Sequence, residues 1–386
     1  MTETKGIWLR PNQLFDGYTL STGQALKIAD GLIIEISPTS EIPASAPIHK
    51  IDGILTPGFF DIQINGGGGA LFNTSPSANG LQKIARAHRK FGTSNWLPTV
   101  ITDGPGTLVK ACDAVLQSHR KFGVAGIHIE GPHIALERKG THKSRWIRPF
   151  DDHTLAQVTR MRKAKIPVLI TVAPEAVQPG DIATLVKLGA VVSIGHSNAD
   201  SAQTEAALAE GAQLFTHLFN AMSQIESRAL NVVGTAINSD RYCSIIADEH
   251  HVALELIGLA VRARPKADRM IIVTDAMPTV GGPDEFELYG TRVKLDGGKL
   301  INQEGSLAGA HVTLLQELSN MVHKIGVPLE TALRMVTTNP ASLMGIADTI
   351  GVLKPDLAAN LMVLQPDLGS VSEFDLPVIA ANAASG

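Results

Sequence analysis

The sequence predicts an α/β fold: a (β/α)8 barrel over residues 58–350, with a small β domain built jointly by residues 1–57 and 351–386. Three observations predict it. From Gly58 to about Asn339 one unit keeps returning, a short β-branched apolar run, a polar or glycine-rich turn, and an amphipathic helix. Eight such runs occur, and alternating strands and helices give a parallel sheet that closes at eight. No G-x-G-x-x-G follows any run and no G-x-x-x-x-G-K-[ST] occurs, which disfavours an open nucleotide-binding sheet.

The runs are, in order, "GFFDIQING", "SNWLPTVIT", "VAGIHIEGP", "PVLITVAPE", "VVSIGHSNA", "AQLFTHLFN", "YCSIIADEHH" and "RMIIVTDAM". Between them, patterns such as Leu81/Ile84/Ala85/His88 and Ile182/Leu185/Val186 have the spacing of one buried helical face. Asp200 with Gln203 reads as a capping box for the helix "TEAALAEG", and Gly211 as its stop. The flanks differ. "IWLR", "ALKIADGLIIEI" and "HKIDGILTPG" read as short strands joined by Asp-Gly turns, and "VLKPDLAANLMVLQPD" after Gly351 is strand-like again. The last stretch, "SEFDLPVIAANAASG", is weakly patterned and expected to fray.

Composition narrows the function. With 386 residues, 44% hydrophobic and 18% charged, the chain can bury a large core. A net charge of -4 and the lack of any Lys/Arg-rich run offer no basic field for nucleic acid or an anionic membrane. No apolar run is long enough to span a bilayer, and "MTETKGIWLR" lacks the hydrophobic segment of a secretory signal, so a cytoplasmic location is expected. Cys112 and Cys243 are far apart, in no metal spacing, and read as core residues of a protein in a reducing compartment.

In such a barrel chemistry gathers where the strands end, because eight loops converge on one mouth. The runs end in Gln63 and Asn65, Thr99 and Thr102, Glu130, Glu175, His196, His217, His251 and Asp275. Three histidines and three acids thus close six of the eight runs. Glu130, His196 and His217 form the two-histidine, one-carboxylate set of many catalytic metal sites that leave a position open for water. That set invites metal-assisted hydrolysis, since a divalent ion lowers the pKa of its water from about 15.7 toward about 7. Asp275 would stand near that water as general base and later acid. His128, two residues before Glu130 on the same strand face, reads as a supporting residue rather than a ligand. Glu175 reads as ordering the mouth.

"LTPGFFDIQING", "GIHIEGP" with "KGTH" downstream, "APE", "GHSNA", "THLFNAM", "IADEHHV", "VTDAM" and "GSLAG" resemble the N-acetylglucosamine-6-phosphate deacetylases of the amidohydrolase superfamily, in motif order from about Leu55 to Asn360. The resemblance implies a barrel with a β-sandwich from both termini, a homodimer, and hydrolysis of N-acetyl-D-glucosamine 6-phosphate to D-glucosamine 6-phosphate and acetate. It implies the same ligands and base, with His142 of "KGTH" polarising the acetamide carbonyl. Asn220 and Ala221, Arg228 and His251 would contact the sugar phosphate, Arg228 and His251 reaching it across a dimer interface. "GSLAGAH", Gly305 to His311, resembles the loop that lies against the N-acetyl group, with Leu307 as its apolar contact. "KSRWIRPF" after His142 and "SQIESRALNVVG" around Arg228 depart from the family pattern where substrate is recognised, which leaves a sibling such as N-acetylgalactosamine 6-phosphate open. A non-catalytic barrel is disfavoured, because Glu130, His196, His217 and Asp275 are all present.

The superfamily commonly ends its first strand in His-x-His, which holds a second metal; here Gln63 and Asn65 stand at those positions. An amide oxygen is a weaker ligand than imidazole, so one divalent ion per subunit is expected, Zn2+ first, with Fe2+, Co2+ and Mn2+ also compatible. The four glycines from 66 to 69 read as close-approach backbone at the mouth.

Overall fold

The computed structural model describes residues 6–374; the weakly patterned tail from Asp375 onward lies outside them. Its centre is an eight-stranded parallel sheet in sequential order. The strands are β1 (Phe59–Ile64), β2 (Thr93–Ile101), β3 (Ile127–Glu130), β4 (Val168–Val172), β5 (Val191–Ile194), β6 (Leu214–Phe215), β7 (Tyr242–Ile245) and β8 (Met270–Ile272). Each of the eight apolar runs therefore carries one strand. β1 and β8 close the ring through a parallel bridge between Ile64 and Ala276, with Asn65 N and Gly66 N both donating to Ala276 O at 2.9 Å. Helices cover the outside and the ring has a packed interior, so the strands read as nearly continuous apolar runs instead of alternating ones.

Helix α1 (Ala78–Arg89) buries Leu81, Ile84, Ala85 and His88 as its spacing predicts, behind a Ser77 cap that accepts from Gly80 N. Helices α2 (Pro105–Ser118), α3 (Asp152–Lys163), α4 (Asp181–Lys187), α5 (Ser201–Ala209), α6 (Asn231–Asn238) and α7 (Leu254–Ala263) follow in turn. The Asp200/Gln203 capping box of α5 is present, and Gly211 follows that helix with φ 111°.

The terminal segments meet in one seven-stranded sheet, where Leu361–Leu364 pairs antiparallel with Ile48–Pro57. Leu9, Leu26, Ile33, Leu55 and Leu361 give this small β-sandwich a core of its own. Asp30-Gly31 makes the expected tight turn, with φ positive at both residues. Asp52-Gly53 does not. It lies inside Ile48–Pro57, at a register shift where Gly53 takes φ 144° and a Cβ would sit 2.9 Å from Leu364 O. There the glycine serves a bulge rather than a turn.

Two further expectations are corrected. "GSLAGAH" is not a loop throughout: Leu307–Ala310 is the last strand of a four-stranded antiparallel sheet, after Glu285–Leu288, Thr291–Asp296 and Lys299–Ile301. It is held by pairing with Lys299–Ile301 and by a bridge from Ala310 to Ala276. The glycine run forms a tiny hairpin, Gly66–Gly67 with Ala70–Leu71, and none of the four glycines lines the site cavity. A Cβ on Gly66 would lie 2.8 Å from Pro278 N, and one on Gly67 2.8 Å from His88 Nε2. The close approach is to α1 and the Pro278 backbone, with His88 Nε2 bonded to Gly66 O at 2.9 Å.

Glu317, on α8 (Leu314–Ser319), is fully buried; its Oε1 accepts Ala247 N at 2.7 Å and its Oε2 has no partner among the described residues. Burial, reinforced by Asp61, Asp248 and Asp275, holds its pKa well above the usual carboxylate range. The native state then keeps a proton that the unfolded chain releases near pH 4.5, so this group's contribution to stability falls as pH rises above that value. Urea unfolding at several pH values between about 5 and 8 should show the parent losing stability relative to Glu317→Gln as pH rises. Parallel curves would contradict the assignment.

Candidate active site

At the C-terminal mouth of the barrel one cavity is lined by Glu130, His142, His196, His217, Asn220, Ala221, His251, Asp275 and Leu307, with Ile101, Ile246, Met277, Gly140, Thr141 and Gly309. Of the candidate site residues only Arg228 lies outside it. Arg228 is exposed on the segment between β6 and α6. His251 lines the cavity of its own chain.

Glu130 ends β3, 2% exposed. His196 and His217 follow β5 and β6, and Asp275 follows β8, with left-handed φ values of 49°, 36° and 49°. Non-glycine residues rarely adopt such angles, and they collect where a strand must turn a side chain into a site. His196 Nε2 and His217 Nε2 lie 3.3 and 3.1 Å from Glu130 Oε1 and 3.1 Å from each other. The edge of a tetrahedron around an ion with bonds of about 2.0 Å is about 3.3 Å, so the three atoms already have the spacing of one metal's ligands. His196 Nδ1 donates to Arg138 O at 2.8 Å, which leaves Nε2 as the lone-pair nitrogen of the neutral ring. The site fits a divalent cation. One ligand atom each of Glu130, His142 and His196 also fall within 4.8 Å of one another, so His142 borders the same centre. The Glu130/His196/His217 triangle is the tighter set, and His142 Nδ1 is committed to Thr102 Oγ1 at 2.6 Å.

Electrostatics follow the same layout. Burial would raise the Glu130 carboxyl, but the neighbouring His196 and His217 hold it well below the ordinary range. Burial lowers His217, and the bond to Glu130 more than offsets this and raises it. Asp275 is pushed up to about 6 by burial and then by the Glu130 charge. Burial takes His142 down to about 3, so its imidazole is neutral at pH 7.

Gln63 and Asn65 have a definite task. Gln63 Nε2 donates to Glu130 Oε1 at 3.0 Å and to Asp275 Oδ1 at 3.2 Å, and Asn65 Nδ2 donates to the same Asp275 oxygen at 2.5 Å. The two amides thus hold the two acids in place. Asp61, two residues earlier on the same strand face, was passed over in the sequence. Its carboxylate accepts from Gln63 N at 3.0 Å and Thr274 Oγ1 at 2.5 Å, tying β1 to the turn that presents Asp275. An acid in period-two register with Gln63 and Asn65 inside an apolar strand was the available signal. His128 lies within the barrel, its Nε2 2.8 Å from Thr171 Oγ1, and belongs to a hydroxyl layer with Thr99, Thr216 and Ser193. Glu175 accepts from Ser197 Oγ at 2.8 Å and from Asn198 N, so it does order the loop behind His196.

Residues 54–383 match the amidohydrolase family. A Shewanella sp. N-acetylgalactosamine-6-phosphate deacetylase is 37% identical over 83% of this chain and 82% of its own. A Haemophilus influenzae N-acetylglucosamine-6-phosphate deacetylase is 33% identical over 88% of this chain and 90% of its own. The crystal structure of the Pasteurella multocida N-acetylglucosamine-6-phosphate deacetylase superposes with a TM-score of 0.88 at 32% identity, over 95% of this chain and 97% of that one. With the barrel, the flanking sheet and the acid-histidine centre in place, the chain belongs to the amidohydrolase family, among its N-acetylhexosamine-6-phosphate deacetylases.

Proposed function

We propose that this chain hydrolyses the acetamide of N-acetyl-D-glucosamine 6-phosphate to D-glucosamine 6-phosphate and acetate. The observation that carries the reading is the convergence of Glu130, His196 and His217, at 3.1–3.3 Å, beside Asp275 and His142 in one buried cavity. Glu130, His196 and His217 would hold one divalent ion, Zn2+ in the first instance, which when bound acidifies water and polarises the acetamide carbonyl. Asp275, ionised above pH 6, takes the proton of the attacking water and returns it to the leaving nitrogen. Thr102 Oγ1 lies 2.6 Å from His142 Nδ1 and 3.4 Å from Glu130 O. The tautomer that serves the reaction is the one in which the Thr102 hydroxyl donates to His142 Nδ1, since Nε2–H is then left to donate to the carbonyl oxygen. Leu307 packs against the acetyl methyl, and Asn220, Ala221 and His251 receive the sugar phosphate.

A homodimer is part of this reading. Arg228 stands outside its own cavity near exposed Ile225 (50%) and Leu230 (45%), and α7 adds exposed Leu256 (43%) and Leu259 (52%). Apolar surface of this kind fits a partner subunit, in whose site Arg228 would meet the phosphate. Both cysteines are buried and free, as a cytoplasmic enzyme would have them. The epimer N-acetylgalactosamine 6-phosphate is the second reading, favoured by the Shewanella relative.

Acetate release from both epimers, with metal analysis of the same sample, tests the function. About one metal per chain is expected, with chelator abolishing turnover, and Asp275→Asn should keep the metal while losing about 10²–10⁴ in kcat. Neither epimer releasing acetate would refute it, and the kcat/KM ratio chooses between them. Thr102→Val should lower kcat about 10–100-fold with KM little changed, and Thr102→Ser should restore most of it. Gln63→His/Asn65→His should bind a second equivalent of metal; no gain would count against the one-ion reading.

A further inference from the structure

The ladder between β7 and β8 stops with Val273 N donating to Ile245 O at 3.1 Å, and beyond it the chain runs through Ile246 and Ala247 to Asp248. Ala247 is fully buried there, where unpaired backbone groups would be costly. Two side chains of one helical segment take both. Glu317 Oε1 accepts Ala247 N at 2.7 Å, and Asn320 Nδ2 donates to Ala247 O at 2.8 Å. α8 passes into a π-helical turn at Asn320–Lys324, so the helix is irregular where it grips the strand end, as π turns at functional positions often are.

The next residue does the aiming. Asp248 Oδ1 accepts His250 N at 2.9 Å and His251 N at 2.8 Å, while Oδ2 lies 2.7 Å from His251 Nδ1. A carboxylate only accepts, so Nδ1 carries a proton and Nε2 is the ring atom left for a ligand in the cavity that His251 lines; toward a phosphate oxygen, which also only accepts, Nε2 must carry a second proton, and the Asp248 carboxylate is placed to balance the imidazolium charge.

We propose that Glu317 and Asn320 are positioning residues: by clamping Ala247 they set Asp248, which aims His251 Nε2 at a phosphate monoester. The proposal rests on the reading of the cavity as an N-acetylhexosamine 6-phosphate site. Neither clamp residue lines the cavity, and neither belongs to the sequence motifs that identify the site. Gln at 317 keeps an acceptor for Ala247 N, whereas Leu fills the space without one.

The test compares the full-length chain with Glu317→Leu, Glu317→Gln and Asn320→Ala on N-acetylglucosamine 6-phosphate and on unphosphorylated N-acetylglucosamine. Glu317→Leu should raise KM for the phosphorylated sugar about tenfold with kcat within about twofold, leave kcat/KM for the unphosphorylated sugar unchanged, and weaken inhibition by inorganic phosphate in step. Glu317→Gln should match the parent, and Asn320→Ala, which leaves the buried carboxyl in place, should show a smaller rise of the same selective kind. In a His251→Asn background Glu317→Leu should add nothing further. Equal losses on both sugars, a Gln variant as impaired as Leu, an unaffected Asn320→Ala, or full additivity with His251→Asn would each overturn the clamp. Should the parent prove indifferent to the phosphate, the proposed function fails instead. The clamp is then read from the ¹⁵N spectrum of His251, where Nδ1 should be protonated in the parent and lose that single state in Glu317→Leu; an unchanged spectrum overturns it.

Discussion

Glu130 Oε1 is the atom on which the rest of the site depends. Taking a carboxylate out of water costs several kcal/mol unless other groups replace the lost hydration. Here Gln63 Nε2 donates to it at 3.0 Å, and His196 Nε2 and His217 Nε2 stand 3.3 and 3.1 Å from the same oxygen, so that three different strand ends converge on one atom. The requirement propagates backward into the fold. His196 and His217 must turn inward as soon as their strands stop, hence their left-handed backbone, and His217 N is caught by Ser244 Oγ at 2.8 Å to hold that turn.

Below this oxygen the barrel interior is not apolar. Thr99, His128, Thr171, Ser193 and Thr216 form a connected hydroxyl-imidazole layer, and His128 is lowered to about 4 by its burial and so stays neutral. A neutral layer satisfies its own hydrogen bonds without placing a competing charge beneath Glu130 and Asp275. The same logic accounts for Glu317, an acid buried close enough to feel Asp61, Asp248 and Asp275, whose raised pKa keeps it from adding another negative charge.

The barrel and most of the site were legible in the sequence for one physical reason. A parallel strand covered on both faces is a nearly continuous apolar run, so the ionisable residue at or within three positions of its end marks the mouth, and Glu130, His196, His217 and Asp275 all appear that way. What was illegible depends on partners distant in the chain. Gly66 and Gly67 are small because Pro278 and His88 press on them, and Gly53 because Leu364 does. Leu307–Ala310 reads as a glycine-containing loop, since its β character comes from pairing with Lys299–Ile301. Thr102 was noted at its strand end without a task, because only the fold brings His142, forty residues later, to 2.6 Å.

Gln63 then takes on a sharper meaning. A histidine at its position would bring a ring nitrogen toward Glu130 and Asp275, and two acids so close together repel unless a cation or a donor separates them. The amide supplies the donor: one Nε2 touches both carboxylates, and Asn65 adds a second contact to Asp275. One divalent ion held by Glu130, His196 and His217 would be balanced by the two carboxylates of the cavity, Glu130 and Asp275. A second divalent ion would leave the centre at +2 with no further acid in the cavity lining to compensate. The amides on the first strand therefore act as donors to both acids. Burial and the Glu130 charge outweigh these contacts and push Asp275 up to about 6, basic enough to accept a proton near neutral pH.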